Sequence, residues 1–126
     1  MKKALLIAMA AAFTIAVSGQ ALAGDPVKGK KVANKCKSCH DFTDKKKNKV
    51  GPYMWAIVGK PAGQVPGYKF SKAHMKKAAD IVWDAATMDK YLENPRKMIP
   101  GNKMAFAGLK KAEDRANLIA YMATLK

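Results

Sequence analysis

The sequence contains few cysteines and few acidic residues. Its two cysteines lie three positions apart, which excludes a small fold held together by several disulfide bonds. Nine acidic residues stand against 24 basic ones, and the formal net charge is +15. The longest apolar segment, Ala4–Val17, has 14 residues and is shorter than the roughly 20 that cross a bilayer as a helix. These features indicate a basic protein without a long membrane-spanning segment.

The first 23 residues have the features of a secretory signal peptide. Two lysines precede the apolar segment, and residues 21–23, which read ALA, fit the small-residue cleavage rule. We therefore expect a signal peptide over 1–23, a mature chain that begins at Gly24, and one domain over 24–126. The alternative is an uncleaved membrane anchor, which the short apolar segment disfavours.

Both cysteines belong to the segment 36–40, which reads CKSCH. The spacing C-x-x-C-H is typical of covalent haem attachment. One helical turn places Cys36 and Cys39 on a common face, from which both can form thioether bonds to one edge of a porphyrin. His40 can then turn its imidazole toward the iron. Because so short a motif also occurs by chance, the rest of the chain must support the hypothesis.

Helix caps and apolar spacing predict an all-α protein with several short helices and long loops. No stretch alternates apolar and polar residues as a half-buried strand does. Loops of this length are unusual in a small domain unless they surround a bound group. Helices are predicted over 28–36, 53–58, 71–79, 84–93 and 112–124, and a loop over 98–108. Ser71 and Asp84 are the predicted caps of the third and fourth helices, and Asn94-Pro95 is expected to end the fourth. The last helix has a predicted buried stripe of Leu118, Ile119, Met122 and Leu125.

A haem with two axial ligands needs a group opposite His40. The candidates are His74 and the six methionines after residue 23. Met104 is the best placed, because it follows Pro100 and Gly101 in a loop without helical periodicity, which can approach the porphyrin from the other face. Three other methionines lie on apolar stripes of predicted helices and are interpreted as core residues, namely Met54, Met88 and Met122.

Four segments together resemble the class I c-type cytochromes in order and spacing. They are the motif at 36–40, Gly51-Pro52, YLENP at 91–95 and IPGNKMAF at 99–106. The likeness is nearest to the mitochondrial-type soluble cytochrome c of bacteria and covers essentially all of 24–126. It implies a single-domain class I cytochrome c fold around one covalent haem c.

The resemblance also implies roles for individual residues. Cys36 and Cys39 would be the thioether anchors, and His40 and Met104 would be the axial ligands of the iron. The remaining implied haem contacts are the Pro52 carbonyl, which accepts the second imidazole N–H, Trp83 near a propionate, and Tyr91 behind the methionine ligand. The first helix would cross the last one near Leu118 and Tyr121.

Four residues depart from the family pattern. Ala33 replaces a usual aromatic residue of the first helix, while Lys60 and Phe70 replace an arginine and a tyrosine that often contact the propionates. His74 lies near a usual asparagine. Three interpretations of His74 stay open, in order of preference: a partly exposed helix residue, a propionate partner, or a replacement for Met104 as ligand.

Imidazole and thioether ligands would close both axial positions, so the iron could change charge by one electron without binding oxygen or substrate. We therefore predict a soluble periplasmic electron carrier, not an enzyme, that acts between respiratory or photosynthetic complexes. The basic surface predicts acidic partners. The resemblance implies that these are redox proteins or membrane complexes: a quinol–cytochrome c oxidoreductase, a terminal oxidase or a reaction centre. Transient docking at a membrane surface is compatible with this charge, and a monomer is expected.

Other functional classes fit the sequence less well. A haem enzyme or gas sensor would need a weakly bound Met104. A thiol–disulfide motif needs a βαβ context, and a zinc site would have to recruit His74 from a distant segment. The lysine excess could suggest nucleic acid, but no nucleic-acid recognition motif is present. The lysines expected around an exposed haem edge are Lys35, Lys37, Lys49, Lys97, Lys103 and Lys110.

Overall fold

The computed structural model describes residues 23–126, and the predicted signal peptide lies almost entirely outside this range. Apart from one isolated antiparallel bridge between Pro61 and Val82, all regular structure from residue 23 onward is helical. No helix in that range is long and apolar enough to cross a membrane. The helices are α1 (Pro26–Val32), which continues into a 3₁₀ helix (Ala33–Lys35), α2 (Lys72–Ala78), α3 (Ala85–Glu93), α4 (Pro95–Met98) and α5 (Ala112–Ala123).

Side-chain caps define the starts of the first three α-helices. At α1, Asp25 accepts a hydrogen bond of 2.8 Å from the backbone N–H of Val27, and proline occupies the first turn. Ser71 and Asp84 were predicted from the sequence as caps, and both predictions are confirmed. Ser71 Oγ accepts a hydrogen bond of 3.0 Å from the backbone N–H of His74. Asp84 Oδ1 accepts one of 2.8 Å from the backbone N–H of Thr87.

Glycine allows α1 and α5 to cross at very short range. Gly29 of α1 is buried, and a Cβ atom there would lie 1.8 Å from the carbonyl oxygen of Asn117 and 2.8 Å from the Cβ of Tyr121. The Asn117 side chain accepts a 2.8 Å hydrogen bond from the N–H of Asp25, which ties the start of α1 to α5. The crossing is therefore set by backbone contact as well as by apolar packing.

The helix crossing has an aromatic contact although residue 33 is alanine. Ala33 is completely buried and shares a core cluster with Phe42 and Leu118. Phe42 stacks on Tyr121 of α5, with a distance of 6.1 Å between ring centroids. The aromatic contact to the last helix thus comes from the segment after the C-x-x-C-H motif.

The prediction of a helix over 53–58 is wrong. This segment forms turns, and Ala56 has a left-handed backbone with φ of 56°. Its backbone donors bond distant parts of the chain: the N–H of Met54 donates to Asp41 at 2.7 Å, and that of Ala56 to Leu125 at 2.9 Å. The left-handed backbone at Ala56 is incompatible with an α-helix, and the two long-range bonds stabilise the turns instead.

Two predicted boundaries also differ from the structure. The first α-helix ends at Val32, and the tighter 3₁₀ helix carries the chain toward Cys36. Asn94-Pro95 ends α3 as predicted, but it also starts α4, where no helix was predicted. Proline suits the first helical position, and the Asn94 side chain accepts from the N–H of Lys97 at 3.1 Å.

Replacing Gly29 with alanine tests the close crossing of α1 and α5. Alanine favours a helix interior by about 1 kcal/mol, but its Cβ would overlap the Asn117 carbonyl. We expect a net loss of about 2 kcal/mol in the free energy of unfolding of the holoprotein, measured in urea. The control is Lys31→Ala, at an exposed position of the same helix, which should change it by less than about 0.5 kcal/mol. Equal stabilities of the two variants would contradict this account.

Candidate functional site

One cavity brings all the predicted site residues together. Its volume is about 330 Å³, and it is bounded by the C-x-x-C-H segment, the turns after it, α2, α3, the loop before α5, and α5 itself. Most side chains around it are apolar, and none of the aspartates and glutamates in residues 23–126 lines it. The predicted site residues at its walls are Cys36, Cys39, His40, Pro52, Trp83, Tyr91 and Met104.

A tight turn after the 3₁₀ helix presents the two cysteines. The backbone N–H groups of Cys39 and His40 both donate to the carbonyl of Cys36, at 3.1 and 2.9 Å. The cysteines form no disulfide bond, and burial raises the pKa of the Cys36 thiol. Two thiols without a disulfide bond on one cavity wall are suited to covalent attachment of a single group.

The His40 imidazole is held in one orientation. Its Nδ1 lies 2.7 Å from the Pro52 carbonyl oxygen, the contact that the resemblance implies. A carbonyl can only accept, so Nδ1 carries the proton and Nε2 keeps its lone pair in the neutral ring. Burial lowers the pKa of His40, which favours that neutral form. A Cβ on Gly51 would lie 2.3 Å from His40 Cε1, so the ring needs glycine beside it.

The loop that carries Met104 is ordered by Asn102, a residue that the sequence reading did not single out. Asn102 Nδ2 donates to the carbonyls of Pro95 and Ile99, at 3.0 and 2.9 Å, and its Oδ1 accepts from the Met104 N–H at 2.9 Å. The preceding Gly101 has φ of 81°, which closes the turn. An asparagine just after Pro-Gly and two residues before the methionine was the available signal, because asparagine side chains often bond the backbone two residues on.

Aromatic side chains form another part of the wall. Trp83 and Tyr91 have ring centroids 4.9 Å apart. Burial raises the pKa of Tyr91 to about 12, so the phenol is neutral at physiological pH. Both rings line the same cavity as His40 and Met104.

His74 is buried, contrary to the preferred interpretation of a partly exposed residue. Only 8% of it is exposed, and its ring lines the cavity. Phe70 stacks on it, with centroids 4.5 Å apart. Lys60, in contrast, is exposed and does not line the cavity. Of these residues that depart from the family pattern, Phe70 and His74 therefore line the cavity, whereas Lys60 does not.

The six lysines expected around the haem edge are all exposed. Lys35 and Lys103 are also part of the cavity wall. The Lys103 ammonium lies over the Tyr68 ring at 4.8 Å and contacts the carbonyl of Lys69. Lys49 donates to the carbonyl of Lys37 at 2.6 Å. Since no carboxylate lines the cavity, these ammonium groups make its mouth basic.

The donor set in the cavity fits a haem better than a bare metal ion. It offers two thiols, the imidazoles of His40 and His74, and four thioether sulfurs, those of Met54, Met88, Met104 and Met122. The Nδ1 atom of His40 is bonded to Pro52, so its Nε2 has a free lone pair. Within residues 23–126, no three His, Cys, Asp or Glu side chains converge to hold a metal by themselves. This disfavours the zinc alternative. The apolar walls and the pair of thiols suit a flat porphyrin joined to the protein through its edge.

Comparisons with known proteins agree with this geometry. A family model described as Cytochrome c matches residues 26–126. The chain is 47% identical over 122 residues to cytochrome c2 of Rhodomicrobium vannielii, which covers 97% of this chain and 96% of that protein. It is 41% identical over 124 residues to cytochrome c-554 of Methylosinus trichosporium, covering 97% and 92%.

The fold agrees as well. The structure of cytochrome cH from Methylobacterium extorquens superposes with a TM-score of 0.74 and 39% identity, covering 80% of this chain and 99% of that one. This confirms the predicted single-domain, all-α fold of the class I type and the predicted haem c cofactor with its iron. The chain, matched over nearly its whole described length, belongs to the cytochrome c family.

Proposed function

We propose that the protein is a soluble periplasmic one-electron carrier in which Cys36 and Cys39 anchor the haem and His40 and Met104 ligate its iron. The family supports the coarser statement, an electron carrier with c-type haem. One observation supports the assignment most directly. The cysteine pair, an imidazole oriented by Pro52 and a methionine ordered by its own loop all line the same cavity.

The two proposed ligands favour electron transfer over the reactions of a haem that need an open position on the iron. The haem iron supplies a one-electron couple between Fe(II) and Fe(III). His40 offers a neutral nitrogen, because its other nitrogen donates to Pro52. Met104 offers a soft thioether, which stabilises Fe(II) relative to Fe(III) and raises the reduction potential. With His40 and Met104 both bound to the iron, oxygen would have no open site on it.

The protein fixes the orientation of both proposed ligands, so that they would not need to move when the iron gains or loses an electron. The Pro52 carbonyl fixes the His40 ring, and Asn102 fixes the backbone at Met104. Supporting bonds of this kind orient ligands and tune the metal. Trp83 and Tyr91 help to keep the interior dry, which further disfavours the charged Fe(III) form.

The basic cavity mouth supports acidic partners. Lys35 and Lys103 line the wall of the haem site, and a carboxylate-rich surface on a redox partner would be attracted to them at long range. The proposed partners are those with such surfaces at the periplasmic side of a membrane: a quinol–cytochrome c oxidoreductase, a terminal oxidase or a reaction centre. The predicted signal peptide over 1–23 supports export, and we propose that the carrier acts as a monomer.

Replacing Met104 with alanine tests the ligand assignment. The wild-type holoprotein, exported and purified, should have the mass of residues 24–126 plus one haem. Its oxidised form should show the near-infrared charge-transfer band of a methionine–iron(III) bond, and its reduced form should not bind carbon monoxide at neutral pH. Met104→Ala should lose the band and bind carbon monoxide, because it opens one axial position.

The control for this variant is Met75→Leu, a methionine that is 50% exposed. It should keep the band and stay closed to carbon monoxide. If the mass of the purified wild-type protein did not include one haem, the proposal would be refuted. Wild-type protein that has haem but binds carbon monoxide would instead favour an enzyme or gas sensor.

The lysine prediction is tested by the ionic-strength dependence of electron transfer. The rate of oxidation by a purified bacterial cytochrome c oxidase should fall steeply as salt is added, because salt screens the attraction between basic and acidic surfaces. The double variant Lys35→Gln/Lys37→Gln should react about threefold more slowly at low salt and show a shallower dependence.

The matched control is Lys28→Gln/Lys31→Gln, which removes the same charge from α1, away from the cavity wall. It should retain most of the rate and most of the salt dependence. A wild-type rate that is flat with ionic strength, or equal losses in the two double variants, would contradict docking at the cavity mouth.

A further inference from the structure

His74 presents a buried polar atom that the electron-transfer site, as described so far, does not use. Its Nε2 is shielded from solvent and has no hydrogen-bond partner among the described residues. Leaving a buried polar group unpaired costs about 1–3 kcal/mol, and such groups are rare in folded proteins. A partner from outside the polypeptide would remove this cost.

The ring of His74 is held in place at the cavity wall. The backbone N–H of His74 donates to Ser71 Oγ at 3.0 Å, which fixes the residue in the first turn of α2. Phe70 stacks on the ring, with planes 23° apart, and the centroid of the Trp83 ring lies 6.3 Å away, tilted by 45°. Neither aromatic side chain has a hydrogen-bond acceptor of its own, so the packing orients the imidazole without satisfying it.

A neutral imidazole has one N–H, and in the tautomer with the proton on Nε2 the missing partner is a hydrogen-bond acceptor. Burial lowers the pKa of His74. No aspartate or glutamate lines the cavity, so the wall supplies no carboxylate. A haem brings two carboxylates of its own, on its propionate side chains. Phe70 has no hydroxyl with which to reach them, and Lys60 is not at the wall.

We propose that His74 is a positioning residue for the haem, whose Nε2–H donates a hydrogen bond to one propionate carboxylate. The proposal rests on the haem site proposed above. His74 would share the negative charge of that carboxylate, and a carboxylate so held opposes reduction of the nearby iron less strongly. His74 would therefore help to set the reduction potential without touching the iron.

Leucine and asparagine at position 74 separate this role from simple packing. Leucine fills space but cannot donate, whereas asparagine keeps an N–H donor. At a fixed ambient potential, His74→Leu should lower the ratio of reduced to oxidised haem about fivefold, and His74→Asn should restore most of it. Met75→Leu, at the exposed neighbouring position of α2, should leave the ratio unchanged. The measurement is spectroelectrochemical titration at pH 7.

Nuclear magnetic resonance of the ¹⁵N-histidine-labelled, reduced holoprotein tests the bond without a mutation. His74 should be in the Nε2–H tautomer, with a proton protected from exchange with water. An Nδ1–H tautomer or a rapidly exchanging Nε2 proton would overturn the proposal. A protected Nε2 proton combined with an unchanged potential in His74→Leu would also overturn it, because it would assign the bond to a buried water molecule.

The failure of this inference is distinguishable from the failure of the proposed function. Absence of haem mass or of the methionine–iron band in the wild type refutes the electron-carrier site, whatever position 74 does. If the haem mass and the methionine–iron band are both present in the wild type and in Met75→Leu, the potentials and tautomer measured for position 74 test the propionate bond alone. If His74→Leu does not accumulate, the His74 tautomer in the wild type and the reduction potential of His74→Asn still test the propionate bond.

Discussion

The hydrogen bond from His40 Nδ1 to the Pro52 carbonyl is the contact on which the proposed site depends. It leaves Nε2 as the lone-pair nitrogen, which is the atom that can bind iron. The bond exists only because the chain passes very close to the ring at Gly51, whose N–H donates to Cys39 at 2.8 Å. The attachment motif and its supporting turn therefore form one unit, and neither would orient the imidazole alone.

A second constraint is the α1–α5 crossing, which determines where that unit lies. Gly29 permits backbone contact with α5, and Ala33 and Phe42 then pack in the same cluster as Leu118. The C-x-x-C-H segment follows α1 after one short 3₁₀ helix, so its position depends on the crossing. The loop with Met104 is ordered separately, through the three hydrogen bonds of the Asn102 side chain. Two independently supported segments thus meet at one cavity.

The elements predicted correctly are those whose signals are local. The caps Ser71 and Asp84 and the apolar stripe of α5 depend on residues a few positions apart, and the structure has each of them. The segment 53–58 was predicted wrongly because its backbone donors bond Asp41 and Leu125, which no local pattern reveals. The short α4 was missed because a proline that stops one helix was not also considered as the start of another.

The sequence by itself determined which groups are available: two thiols at haem-attachment spacing, an adjacent imidazole and a methionine in a Pro-Gly loop. These are properties of neighbouring residues, so spacing alone expresses them. Only the tertiary structure decided that His74 is buried against Phe70 with an unpaired nitrogen, and that Asn102 orders the Met104 loop through the Pro95 carbonyl. Burial and polar pairing depend on which distant segments meet, and that is decided by packing of the whole chain around the cavity.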